Sequence, residues 1–145
     1  MADLQHYYDI VEKGIAKIGL DPVKFRGKQD GEWMLMRGEQ GIWVDLWHQD
    51  ELTYLQVSAL IMDLPDEIGA VFYKELLEIN FSMCGAAFGV HNGNVALVGT
   101  RPAQGLDVEE VYAIILLVGK YAAEFKPLLM KKYLNNGAPG LPPKA

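Results

Sequence analysis

Leu76-Leu77-Glu78-Ile79-Asn80-Phe81, then Cys84-Gly85-Ala86-Ala87-Phe88-Gly89-Val90, then His91-Asn92-Gly93-Asn94, then Val95-Ala96-Leu97-Val98-Gly99 follow one another almost without interruption, and this run, residues 76–101, decides the fold. It reads as a helix end, a strand of small residues, a tight turn and a second strand. An Asn-Gly step between two apolar runs is the strongest short-range hairpin signal, because both central residues of a type I′ turn need positive φ. Glycine and alanine in the first strand let a helix or another chain approach the sheet closely. Gly85 and Gly89, four apart, read as packing relief rather than as a phosphate cradle.

Upstream, Leu64-Pro65-Asp66 opens the helix that ends near Phe81. Ile68, Val71, Phe72, Leu76 and Ile79 share one of its faces, and Tyr73, Leu77 and Phe81 widen the stripe beyond what one sheet face requires. A helix apolar over so much of its circumference is buried on several sides, and in a small domain the extra side is often a subunit contact. Phe72, Tyr73, Leu76, Leu77 and Phe81 are therefore the expected interface of a homodimer.

Downstream, Leu106-Asp107-Val108-Glu109-Glu110-Val111 is a helix start. Asp107 caps, Glu110 bonds back from N3, and Leu106 staples against Val111. That helix carries Ile114, Ile115, Val118, Tyr121, Ala122 and Phe125 until Pro127, which lacks an N–H and is expected to kink or end it. Residues 128–133 read as a further turn or two.

Earlier in the chain, residues 32–37, 42–48 and 52–62 read as strands, joined by turns at 38–41 and 49–51 that suit antiparallel hairpins. Alternation divides the second into Ile42, Val44 and Leu46 against Trp43, Asp45 and Trp47. It divides the third into Leu55, Val57, Ala59 and Ile61 against Tyr54, Gln56 and Ser58. The aliphatic face is the core face. Trp43, Trp47 and Tyr54 on the other face read both as cross-strand pairs and as a candidate partner-binding surface, since Trp and Tyr are enriched at binding hot spots. An amphipathic helix over residues 4–18 precedes them, with Leu4, Tyr8, Val11, Ile15 and Ile18 on one face, Asp3 as N-cap and Gly19 as C′ residue. The order α-β-β-β-α-β-β-α predicts an α+β domain, helices packed on an antiparallel sheet. It occupies residues 1–134, and the Gly- and Pro-rich residues 135–145 read as a flexible tail.

The 145 residues are 50% hydrophobic and 22% charged, as in soluble globular proteins. A net charge of −6 and a pI near 5.0 argue against nucleic acid and anionic membranes as partners, because both attract basic surfaces. A single cysteine, Cys84, excludes an internal disulfide, and no signal peptide or membrane span is visible. The expected compartment is the cytoplasm.

Catalytic chemistry has no support. His6, His48 and His91 lack partners at metal-ligand spacing, and no nucleophile-elbow, P-loop or dinucleotide motif occurs. Cys84, among Met83, Gly85 and Ala86, reads as a buried, inert thiol. No catalytic residue, cofactor or metal is expected. An alternative reading, a small-ligand sensor or an enzyme, places a pocket between sheet and helices and lines it with Met34, Met36, Tyr73 and His91.

The element order, with Leu76-Leu77-Glu78-Ile79-Asn80, Gly85-Ala86-Ala87-Phe88, the Gly-containing hairpin and Leu106-Asp107, resembles bacterial type III secretion chaperones of the CesT type and the related YbjN family. In both, a Leu-Leu-x-x-Asn-like helix end precedes a small-residue strand. The likeness spans residues 4–133 in element order and 73–133 in motif detail, where it is nearer to YbjN. It implies a homodimer without cofactor or enzymatic reaction. In the chaperone branch, an extended segment of a secreted protein wraps the dimer by strand addition and pocket filling. In the YbjN branch the role is described as regulatory.

Overall fold

Alternation along successive strands builds a one-sided sheet. In the computed structural model, which describes residues 4–135, β1 (Glu32–Arg37), β2 (Gln40–Gln49) and β3 (Leu52–Asp63) form an antiparallel meander. β4 (Ala87–His91) and β5 (Asn94–Pro102) form a hairpin, and β5 pairs antiparallel with β3. The sheet order is β1-β2-β3-β5-β4. Leu35, Ile42, Val44, Leu46, Leu55, Val57, Ala59, Ile61, Val95 and Leu97 point to one face and are buried. Helices α1 (Leu4–Ile18) and α3 (Val108–Met130) cross that face in contact with each other, and α2 (Ala70–Ser82) flanks β4. The α+β fold is thus the expected one.

The expected hairpin turn is present, with Asn92 and Gly93 at φ 50° and 78°. The β2–β3 turn has the same two-residue form without a glycine, since Asp50 and Glu51 sit at φ 51° and 68°. The capping box of α3 is complete: the Glu110 N–H donates to Asp107 Oδ1 at 2.8 Å, and the Asp107 N–H to Glu110 Oε1 at 2.9 Å.

Five local expectations are corrected. Helix α2 begins at Ala70, not at 64–66, because the Leu64 N–H continues the sheet by bonding the Gly93 carbonyl at 2.8 Å, and the residue before a proline avoids helical ψ. Val71 then turns to solvent instead of joining the buried stripe. Helix α3 runs through Pro127, because the buried stripe continues from Val118 and Ala122 to Leu129, and packing outweighs one lost hydrogen bond. A π-helical turn, Lys131–Asn135, follows it. Strand β4 begins only at Ala87, since Gly85 adopts φ 79°, and Cys84 is exposed in that connection rather than buried. Asp3, the expected N-cap, and residues 136–145 of the expected tail lie outside the described residues.

Candidate partner-binding surface

Cross-strand register arranges the outward side chains in rows. One row crosses all five strands: Met34 lies opposite Trp43, Trp43 opposite Ser58, Ser58 opposite Val98, and Val98 opposite Ala87. Beside it lie Met36 with Gly41, and Leu60 with Ala96 and Gly89. Towards the other end follow a polar row, Glu32–Asp45–Gln56–Thr100, and then Trp47–Tyr54–Pro102. Among the described residues no helix covers this face, and Met34, Met36, Trp43 and Leu60 are all exposed, Trp43 at 37%. A Cβ at Gly41 would sit 3.5 Å from the Trp43 ring and 3.7 Å from Met36 Sδ, so indole and thioether meet over a glycine. The open face is an apolar patch with a polar margin, the usual composition of a docking surface.

The three expected partner-binding residues all lie on this face. Trp47 stacks on Tyr54 with ring centroids 5.6 Å apart and planes at 27°, and its Nε1–H donates to Gln49 Oε1 at 3.2 Å. The cross-strand pair is therefore formed, and both residues are half-buried. Trp43 stands four residues away along β2, beyond Asp45, on the more apolar side. Met34, Met36 and Leu60 complete the patch; strict alternation past Ser58 was signal enough to find Leu60.

The expected dimer set divides. Phe72 and Leu76 are buried in the chain's own core, with Phe72 edge-on to Tyr133 at 4.7 Å, so they support α2 from beneath. Tyr73, Leu77 and Phe81 face outward, Leu77 at 67% exposure and Phe81 at 95%. Beneath the helix, Tyr133 donates to Glu75, whose other partner is Lys132 at 3.0 Å. Burial first, then that carboxylate, push the Tyr133 hydroxyl up to about 12.

A second concavity, about 190 Å³, opens between α1 and the segment leading into β1. Three of its lining side chains are tied together. Glu12 accepts from Arg26 Nε and Nη2 at 2.7 and 2.8 Å and from Trp33 Nε1 at 2.8 Å. The Arg26 hydrogen bond holds the Glu12 carboxyl below its usual range. On the open sheet face the opposite holds: burial, then the facing Glu32 carboxylate, push Asp45 up.

The pocket expected from Met34, Met36, Tyr73 and His91 does not assemble. The methionines sit on β1 and His91 on β4, at opposite edges of a five-stranded sheet, while Tyr73 is on α2. Gly89 faces open space on the uncovered side, so it relieves no packing there, whereas a Cβ at Gly85 would meet Leu117 at 2.9 Å. Among the described residues, no helix is long and apolar enough to cross a membrane.

No family model matches the sequence, and no curated protein matches it. Solved structures do. A chain of the ExsC–ExsE complex superposes with a TM-score of 0.64 at 21% identity, covering 89% of this chain and 97% of that one. A chain of the HopA1–SchA chaperone–effector complex gives 0.64 at 11% identity, covering 88% and 99%. A chain of the heterodimeric ExoU–SpcU complex, from the type III secretion system of Pseudomonas aeruginosa, gives 0.61 at 15%, covering 81% and 95%. These matches bear on the secretion-chaperone side of the resemblance; the likeness to YbjN rests on the sequence alone. The chain has the type III secretion chaperone fold.

Proposed function

We propose that the protein is a non-enzymatic, chaperone-like binding module that holds an extended segment of a partner protein. The observation that carries this reading is the uncovered sheet face, where Met34, Met36, Trp43 and Leu60 form an exposed apolar patch beside the Trp47–Tyr54 stack. It is supported by the fold shared with chains of complexes described as chaperone–effector assemblies. The module is one domain over residues 1–134 and works without cofactor. A nearer kinship with YbjN makes the partner a regulated protein; kinship with the secretion chaperones makes it a secreted one.

Affinity capture from the source cell tests the reading. The wild-type chain retains a partner, and Trp43→Ser with Trp47→Ser, folded by circular dichroism, binds it at least about thirtyfold more weakly, the scale of one lost hot spot near 2 kcal/mol. Equal recovery by the double variant removes the sheet face from the reading.

The same proposal includes a homodimer through the outer face of α2, where Tyr73, Leu77 and Phe81 are exposed apolar surface. Light scattering at about tens of micromolar, a range in which a micromolar dimer is populated, should give twice the 16.2 kDa chain mass. Leu77→Lys with Phe81→Lys should give the single mass. A wild-type monomer under these conditions rejects the dimer and leaves the sheet face untouched.

A further inference from the structure

We propose that the segment held on the open sheet face carries a basic side chain that docks against Glu32 and Asp45 beside the Trp47–Tyr54 stack, with an apolar neighbour on the Met34–Trp43 row. The proposal rests on the protein-holding reading above and names the chemistry of what is held.

Charge complementarity is the first argument. The outward positions of all five strands carry no lysine or arginine, and their acidic side chains are Asp63, at the far end of β3 opposite Asn94, and Glu32 and Asp45, directly opposite each other. The sheet's own arginines point the other way: Arg101 pairs with Glu110 of α3 at 3.0 Å, and Arg37 reaches towards Gly119. Like charges facing each other across a strand pair are destabilising. Neither Glu32 nor Asp45 forms an ion pair among the described residues, and the nearest relief for Glu32 is a long 3.4 Å bond from the Gln29 N–H. A cation from outside would supply what the chain withholds.

Shape is the second. Glu32, Asp45, Trp47 and Gln56 line a concavity of about 270 Å³, with Asp30 adding a third carboxylate at its edge. Among the described residues no three His, Cys, Asp or Glu side chains are placed to hold a metal ion, so the spread of these acids suits an organic cation. The exposed part of the Trp47–Tyr54 stack supplies an aromatic surface, on which guanidinium packs better than ammonium. Arginine is therefore favoured over lysine.

Register is the third. Outward positions on a strand repeat about every 6.6 Å, which is also the spacing of residues i and i+2 in an extended segment. A segment laid along the strands thus sets one side chain on the apolar row and the next same-facing one on the acidic row. The pattern is apolar-x-basic.

The test is panning of a random peptide-display library, first over the wild-type protein and then over Glu32→Gln with Asp45→Asn, both near-isosteric changes. Wild-type selection should enrich apolar residues with a basic residue two positions away. The variant should keep the apolar enrichment and lose the basic one, and should bind the best wild-type peptide about tenfold more weakly, the scale of one charge-assisted hydrogen bond. Apolar enrichment without a basic preference, or a basic preference that survives in the variant, overturns this proposal and leaves the protein-holding reading standing. No enrichment of any sequence overturns both.

Discussion

Gly14→Ala should destabilise the protein by about 1–3 kcal/mol, the cost of overpacking a tight core, although alanine is the better helix former by about 1 kcal/mol. Gly14 is buried in the middle of α1, where a Cβ would stand 2.5 Å from Val111 Cγ1 and 2.7 Å from Val111 Cβ. Neither contact can be relieved by a side-chain rotation, because Val111 Cβ is fixed to the α3 backbone and its branched χ1 has one preferred well in a helix. The helices must separate, and the sheet beneath loses part of its cover. Urea unfolding monitored by circular dichroism measures the loss. Gly14→Ala and Val111→Ala combined should cost less than the sum of the two, since the second removes the shorter contact. A gain in stability from Gly14→Ala would show that α1 and α3 are not in close contact here.

Asn80→Leu should cost about 2 kcal/mol, the order expected when paired backbone groups lose their partner. The Asn80 carboxamide meets the outer edge of β4 as another strand would: Phe88 N–H donates to Oδ1 at 2.7 Å, and Nδ2 donates to the Phe88 carbonyl at 3.3 Å. Edge strands present such groups as templates for another chain, and covering them is a common protection. The variant should therefore both unfold at lower urea and scatter more light as its concentration rises. Unchanged stability would mean that water serves Phe88 equally well. The helix-end asparagine quoted in the opening stretch thus has a physical role: it ties α2 to the strand that follows the connection.

Strand identity was legible because period-two alternation survives in Ile42–Val44–Leu46 against Trp43–Asp45–Trp47, and a sheet covered on one side needs just that pattern. The capping box at Asp107 was legible because it lies wholly within four consecutive residues. The fate of Pro127 was not, because it depends on Leu129 reaching a core built by distant strands. Nor was the division within α2: Phe72 and Leu76 are apolar like Leu77 and Phe81, and only the docking angle of the helix decides which pair is covered. Small residues mark close approach, and of the two glycines that the sequence singles out Gly85 is such a place while Gly89 is not. Closer approaches still fall outside that strand, among them Gly14 in α1 and Gly99 in β5, where a Cβ would lie 2.7 Å from the Gly85 carbonyl oxygen. Of the surface, the aromatic members could be read from alternation, while Glu32 and Asp45 became a pair only through strand register.

The three tryptophans stand in three different surroundings. Trp33 is sealed against Tyr8 on the helix side, Trp47 is stacked on Tyr54, and Trp43 lies over Gly41 with one side to solvent. Their fluorescence accordingly separates two events that a single probe would merge. Emission from Trp33 reports whether the layers remain packed, and emission from Trp43 and Trp47 reports whether water still reaches the outer face of the sheet. The molecule carries its own optical distinction between unfolding and occupancy, with no label attached.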